Sequence, residues 1–117
     1  MMTMITLKQG SVVTVLFPYS NLSDSKQRPG LILSPEQYSS RTSELLVAQI
    51  TSRNSLFRNQ YGITNWAKAG LRKPSWVRYL ALQHIHSSLI VDVLGDMPRD
   101  EYHQIVPLLS QAIALQH

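Results

Sequence analysis

Between Phe17 and Leu33 the chain reads Phe-Pro-Tyr-Ser-Asn-Leu-Ser-Asp-Ser-Lys-Gln-Arg-Pro-Gly-Leu-Ile-Leu. Within that stretch Tyr19 offers a phenol, Ser20 a hydroxyl, Asp24 a carboxylate, Lys26 an ammonium, Gln27 an amide and Arg28 a guanidinium. A set this polar is unfit for a core and well suited to gripping a charged ligand. Arg28 precedes Pro29, and a residue before proline is held to extended backbone conformations, which fixes the direction in which the guanidinium leaves the chain. The adjacent Gly30 is expected to leave room above the sheet. A planar guanidinium held beside a hydroxyl suits a phosphodiester, because the fork binds two oxygens and offsets developing negative charge. The hydroxyl that completes such a pair is Thr51, followed by Ser52 and Arg53.

Alternation of apolar residues shows why Arg28 and Thr51 should meet. Residues 12–17 are β-branched and apolar and predict a strand; the polar loop 18–27 follows, and residues 29–34 predict a second strand ended by Pro35. After polar turn material at 35–43, with a helical turn near Glu36, residues 44–51 predict a third strand. The second and third are consecutive with a short connection, so antiparallel pairing is the economical topology. Leu33 opposite Leu46, Ile32 opposite Val47 and Leu31 opposite Ala48 match apolar positions, and the same register sets Gly30 opposite Gln49 and Arg28 opposite Thr51. A slip one way puts Ser52 opposite Arg28 and Gln49 opposite Leu31. A slip the other way puts Ile50 opposite Arg28 yet still pairs Leu31 with Val47 and Leu33 with Leu45, so there only the strand end discriminates. Taken alone, the two residues read more readily as a solvated strand-edge charge and an ordinary β-forming threonine.

The remaining elements frame this corner. Residues 52–61 predict a basic, amide-rich loop, 62–64 a short strand, and 66–69 one helical turn stopped by Gly70. Strands are expected at 75–82 and 89–94. From Pro98 the period changes: Tyr102, Ile105, Val106, Leu109, Ala112 and Ile113 recur at helical spacing, with Pro107 off the stripe, where it would remove a backbone bond and kink the helix. Many short strands and then one C-terminal helix predict a mainly β domain over 1–117, a small, strongly bent sheet or barrel with the helix packed on it.

At 117 residues, 44% hydrophobic and 15% charged, the chain is of globular composition. It has no cysteine, hence no disulfide framework or thiolate metal site. The first residues are too short an apolar run for a signal peptide and no run reaches membrane-spanning length, so a cytoplasmic protein is expected, with no membrane partner. Eleven Lys and Arg against seven Asp and Glu give a formal charge of +4, a balance that favours a phosphate backbone or an acidic protein.

The ordered set of Gly10-Ser-Val-Val, Phe17-Pro-Tyr-Ser, Arg28-Pro29-Gly-Leu-Ile-Leu, Val47-Ala-Gln-Ile-Thr51-Ser52, Trp66, Ala69-Gly70-Leu71, Lys73-Pro74-Ser75-Trp76-Val77-Arg78, Ile85 and Leu94-Gly95 resembles the PemK/MazF family of toxins from type II toxin–antitoxin systems. The resemblance covers nearly the whole chain. It implies an SH3-like barrel of the CcdB/PemK type, a homodimer, and a sequence-selective, metal-independent endoribonuclease with no cofactor. Its catalytic arginine and threonine match Arg28 and Thr51, with Asp24 and Ser52 as further catalytic or loop candidates. Cleavage of single-stranded RNA would use the RNA's own 2′-hydroxyl and leave a 2′,3′-cyclic phosphate and a 5′-hydroxyl. The implied protein partner is a cognate antitoxin, whose acidic tail would cover the basic groove and whose complex with the toxin binds DNA. Many relatives carry an acidic residue one place farther from the arginine, with glycines between; here the loop is Ser23-Asp24-Ser25-Lys26-Gln27, without glycine. Arginine stays protonated at ordinary pH and is a charge stabiliser, not a base, so the proton acceptor is left open.

Other residues join the site as expected RNA contacts: Tyr19 by stacking on a base, Ser20, Lys26 and Gln27 from the loop, Arg53, Arg58 and Arg78 on phosphates, and Ser75 and Gln83 along the groove. Phe17, Trp66 and Trp76 read as core or interface. His84 and His86 alternate on one strand face but lack a clear third ligand, which makes them ordinary strand positions. Two other readings share the barrel. A gyrase poison of the CcdB branch would use a tryptophan close to its C-terminus, whereas this chain ends Ala112-Ile-Ala-Leu-Gln-His117; a catalytically silent RNA- or protein-binding barrel is the other.

Overall fold

The computed structural model describes residues 7–17, 26–55 and 59–116. The strands are β1 (Ser11–Phe17), β2 (Lys26–Ile32), β3 (Glu44–Thr51), β4 (Gln60–Gly62), β5 (Trp76–His86) and β6 (Ile90–Asp96), with helices α1 (Glu36–Thr42) and α2 (Arg99–Ile113). They form one antiparallel sheet in the order β4-β5-β3-β2-β1-β6. β-Branched and apolar residues dominate β1 and β3, where alternate side chains enter two separate cores. Val12, Leu31, Ala48, Ile50, Val77 and Ile105 belong to one, under α2; Val13, Val15, Phe17, Ile32, Leu45, Val47 and Ile85 belong to the other.

The sheet is barrel-like without being closed by a ladder, since β4 and β6 are its edges. The turn that follows β4 bridges them. It is wound as a helical turn, with the Ala69 N–H on the Asn65 carbonyl at 3.1 Å and the Leu71 N–H on that of Trp66 at 3.0 Å. Gly70 ends it at φ +88°, a conformation that favours glycine. A Cβ at Gly70 would run into the Leu94 carbonyl, and one at Gly95 would lie 2.8 Å from the Ala69 oxygen. Two glycines therefore let the turn press directly on the end of β6.

Glu101, in the first turn of α2, ties the same turn to the helix. It is 2% exposed and accepts the Tyr61 hydroxyl at 2.8 Å and the Thr64 N–H at 2.7 Å on Oε1, and the Asn65 N–H at 2.8 Å on Oε2. Burial disfavours the carboxylate, but the bonds from Tyr61, Asn65 and Thr64 outweigh it and hold the pKa below its ordinary value of 4.5. Burial, and then the bond to that carboxylate, push the Tyr61 phenol up to about 12.

Most expected elements occur where the sequence places them. β2 begins earlier, at Lys26, because its first residues pair with β1 alone: Phe17 opposite Lys26, Val15 opposite Arg28 and Thr14 opposite Pro29. The ladder to β3 starts only after Pro29, which has no N–H to donate. The short strand expected at 62–64 is β4, two residues earlier. α1 runs two turns where one was expected. It has no buried residue; Ser39, Ser40 and Thr42 donate to the carbonyls of Glu36, Gln37 and Tyr38, and the Tyr38 hydroxyl meets His84 Nε2 at 2.8 Å. α2 buries Ile105 and packs Tyr102, Leu109 and Ala112 on the core, but leaves Val106 and Ile113 exposed. Pro107 lies inside the helix on its exposed side.

Candidate functional site

β2 and β3 pair in the register that apolar matching and the polar strand ends together favour: Ile32 with Val47, Leu31 with Ala48 and Gly30 with Gln49. Residues opposite one another share a face, so Arg28, two residues before Gly30, and Thr51, two after Gln49, lie on one face at one end of the sheet. That face is the continuation of the core formed by Val13, Val15 and Val47. Toward Ile85 it is apolar and buried; toward Thr51 it becomes polar and half-buried or exposed. Lys26 also alternates onto it, whereas Gln27 alternates to the other face.

β5 extends the same face. Thr51 pairs with Trp76 and Gln49 with Arg78, and after Arg78 a bulge leaves Tyr79, Leu80 and Ala81 unpaired with β3 before Ala48 resumes opposite Leu82 and Val47 opposite Gln83. The bulge keeps Arg78 and Gln83, separated by five positions, on one face. Arg78 Nη1 donates to Gln49 Oε1 at 3.3 Å, and Gln60 on β4 is the next partner across. A row Gln60, Arg78, Gln49, Gly30 thus lies beside a row Trp76, Thr51. The Thr51 hydroxyl oxygen accepts the Arg53 N–H at 3.1 Å, a local turn that fixes the rotamer and leaves the hydroxyl hydrogen to be donated. Ser52 and Arg53 are exposed at the strand end, and among the described residues no acceptor meets Arg28, which is exposed.

Lys26, Arg28, Arg53 and Arg78 belong to this corner, whereas among the described residues the carboxylates stand elsewhere, on α1 and the opposite end of β3 (Glu36, Glu44), on β6 (Asp92, Asp96) and on α2 (Asp100, Glu101). Such a surface favours an anion.

Two expectations are corrected. Gly30 leaves no open room, because a Cβ there would meet Val47 Cγ1 at 2.5 Å and Val15 Cγ2 at 3.5 Å; the absent side chain is what lets those valines close over the strand. Ser75, expected along the groove, is 5% exposed, and its hydroxyl donates to the Lys73 carbonyl at 2.9 Å, so it closes a turn. Tyr19, Ser20, Asp24 and Arg58 lie outside the described residues. Phe17 is fully buried and Trp66 packs on the core, while Trp76 is half-buried with its indole over Gly62. His84 meets Tyr38 and lies 3.9 Å from the Glu44 carboxylate, and His86 Nδ1 accepts the Ser88 N–H. Among the described residues no group of three or more His, Asp or Glu is placed to hold a metal ion. Gln49 is the site residue that sequence reasoning passed over, although the register already set it between Gly30 and Thr51.

A six-stranded antiparallel, barrel-like sheet under a C-terminal helix, with an arginine-rich corner at one end, defines the class. Residues 8–113 match the family described as PemK-like, MazF-like toxin of type II toxin–antitoxin system, and the chain belongs to that family. Solved structures with the same fold include an endoribonuclease in complex with its cognate antitoxin from a mycobacterial species (TM-score 0.77, 16% identity, 95% of this chain and 98% of that one). MazE–MazF from Deinococcus radiodurans is similar at TM-score 0.76 and 20% identity, covering 96% and 100%. Mycobacterium tuberculosis toxin MazF-mt6 gives 0.75 and 20% over 92% and 99%. No curated protein matches in sequence. Among the described residues no helix is long and apolar enough to cross a membrane.

Proposed function

We propose that the chain is a sequence-selective, metal-independent endoribonuclease that cleaves single-stranded RNA at the Arg28–Thr51 corner and is restrained by an antitoxin. The observation that carries this reading is the register of β2 on β3, which supports placing the arginine of Arg-Pro and the threonine of Ile-Thr on one face. Family membership supports the toxin role, and a similar fold is described as an endoribonuclease with its antitoxin.

In the proposed step the 2′-oxygen of the RNA loses its proton and attacks the adjacent phosphorus. The bond from phosphorus to the 5′-oxygen breaks, and that oxygen gains a proton; the products are a 2′,3′-cyclic phosphate and a 5′-hydroxyl. Arg28, fixed by Pro29, offsets the charge gathering on the non-bridging oxygens. Thr51 donates its hydroxyl hydrogen to one of those oxygens. The proton acceptor must be another group, and Asp24 is the carboxylate nearest Arg28 in sequence; Asp24→Asn tests it by its effect on rate. Lys26, Arg53 and Arg78 hold flanking phosphates, Gln83 lines the face, Ser52 stands exposed at the strand end, and Tyr19 and Ser20 add contacts from the segment before β2; Gln27, in β2, alternates to the other face and is not among them.

The partner is an acidic, extended segment of the antitoxin lying along the same cationic face, so antitoxin and RNA compete for it. The active species is a homodimer. The test is purified protein with a long, weakly structured RNA in EDTA, the cut ends being mapped. Discrete cuts with 5′-hydroxyl ends are expected. Intact RNA bound by folded protein would overturn the enzyme in favour of a binding barrel.

A further inference from the structure

We propose that Gln49 is a positioning residue that sets the Arg78 guanidinium as a second phosphate grip beside Arg28, an inference that rests on the ribonuclease reading above. Gln49 sits at the centre of the polar corner, with Gly30 on one side, Arg78 on the other and Thr51 two residues ahead on the same face. A strand interior next to Ala48 and Ile50 would ordinarily continue apolar on this face, as Val47 and Leu45 do. Instead Gln49 is half-buried, and its Oε1 accepts from Arg78 Nη1 at 3.3 Å. The bulge at Tyr79, Leu80 and Ala81 is what brings Arg78 into register with it, so strand irregularity and hydrogen bond serve one result.

Strands lie about 4.8 Å apart and alternate residues about 6.8 Å apart along a strand, which puts the Cα atoms of Arg28 and Arg78 roughly 12 Å apart, two strands across and one row along. At that spacing the two side chains can grip neighbouring phosphates of one backbone. A guanidinium on a long, flexible stem binds more weakly when it must be ordered at the moment of binding. Anchoring one Nη to the Gln49 amide helps order the guanidinium in advance.

The test measures binding and cleavage separately in the full chain. Gln49→Met keeps the volume and removes the acceptor. Affinity for a 2′-O-methyl single-stranded oligonucleotide pool is expected to fall roughly three- to tenfold, with the salt slope reduced by up to about 0.7, one phosphate contact. KM for RNA rises correspondingly, while the rate at saturating RNA moves less than about twofold. In an Arg78→Ala background the same substitution is expected to do nothing further. Gln49→Glu, which neutralises Arg78, should weaken binding at least as much. Wild-type affinity and KM in Gln49→Met, or an undiminished effect without Arg78, would overturn the inference. A wild-type protein that neither binds nor cuts RNA would instead overturn the reading on which it rests.

Discussion

Two polar clusters in this molecule use hydrogen bonds in opposite ways. At Glu101 a buried carboxylate accepts two backbone N–H groups and a phenol, so the helix, the turn at 64–71 and β4 become one body. At the other, Arg28 is exposed and meets no acceptor among the described residues, and Thr51 accepts one local N–H. Polar groups saturated within the chain hold a fold; donors left pointing outward on a rigid sheet can meet a ligand without first breaking an internal bond. The contrast separates residues that should cost stability from residues that should cost activity.

The largest effect is expected where charge develops. Arg28→Ala should lower the rate of RNA cleavage by about 10²–10³-fold, the loss typical of removing one transition-state donor, with unfolding free energy unchanged within about 0.5 kcal/mol. Parallel cleavage assays and denaturant melts check this; a cleavage loss matched by unfolding would erase the contrast. Gly70→Ala should destabilise by about 1–3 kcal/mol through its left-handed backbone and the Leu94 carbonyl in its way, read in the same melts. Glu101→Gln places an amide NH₂ against an N–H or hydroxyl donor and should cost about 1–3 kcal/mol, leaving the cleavage rate of the folded fraction intact.

A smaller effect carries a sign. Because the folded state holds the Glu101 pKa below its ordinary 4.5, the unfolded chain binds more protons near that pH, so this stabilisation is present above it and is lost as pH falls through the folded value. The stability gap between wild type and Glu101→Gln should shrink below about pH 4.5. Tyr61, raised to about 12, works the other way: its contribution is complete below 10 and lost between 10 and 12. Thermal melts of wild type and Tyr61→Phe across both ranges check these directions.

The Arg28–Thr51 corner is more legible in the sequence than the Glu101 cluster. Apolar matching of Leu31 and Ile32 with Ala48 and Val47 excludes one slip and the polar strand end excludes the other, so together they align β2 with β3 and carry Arg28 toward Thr51. The β5 bulge leaves no such signature: Tyr79, Leu80 and Ala81 are as strand-like as their neighbours, and only the backbone shows which residues pair. α1 was under-read because Ser39, Ser40 and Thr42 stabilise it by bonding back to its own carbonyls, which gives no apolar stripe. In sequence, Glu101 is indistinguishable from a surface acid suited to a helix N-terminus. The available signal was its position four residues before Ile105, on the buried side, where a carboxylate must find donors.

The most direct test of the central claim is cleavage in EDTA of an oligoribonucleotide bearing a mapped cut site, compared with the same strand carrying one 2′-deoxy sugar at that position. Transesterification at the Arg28–Thr51 corner predicts that the modified strand is bound but left intact at that site. Cleavage there at an undiminished rate would contradict it, because the attacking oxygen would then have to come from elsewhere.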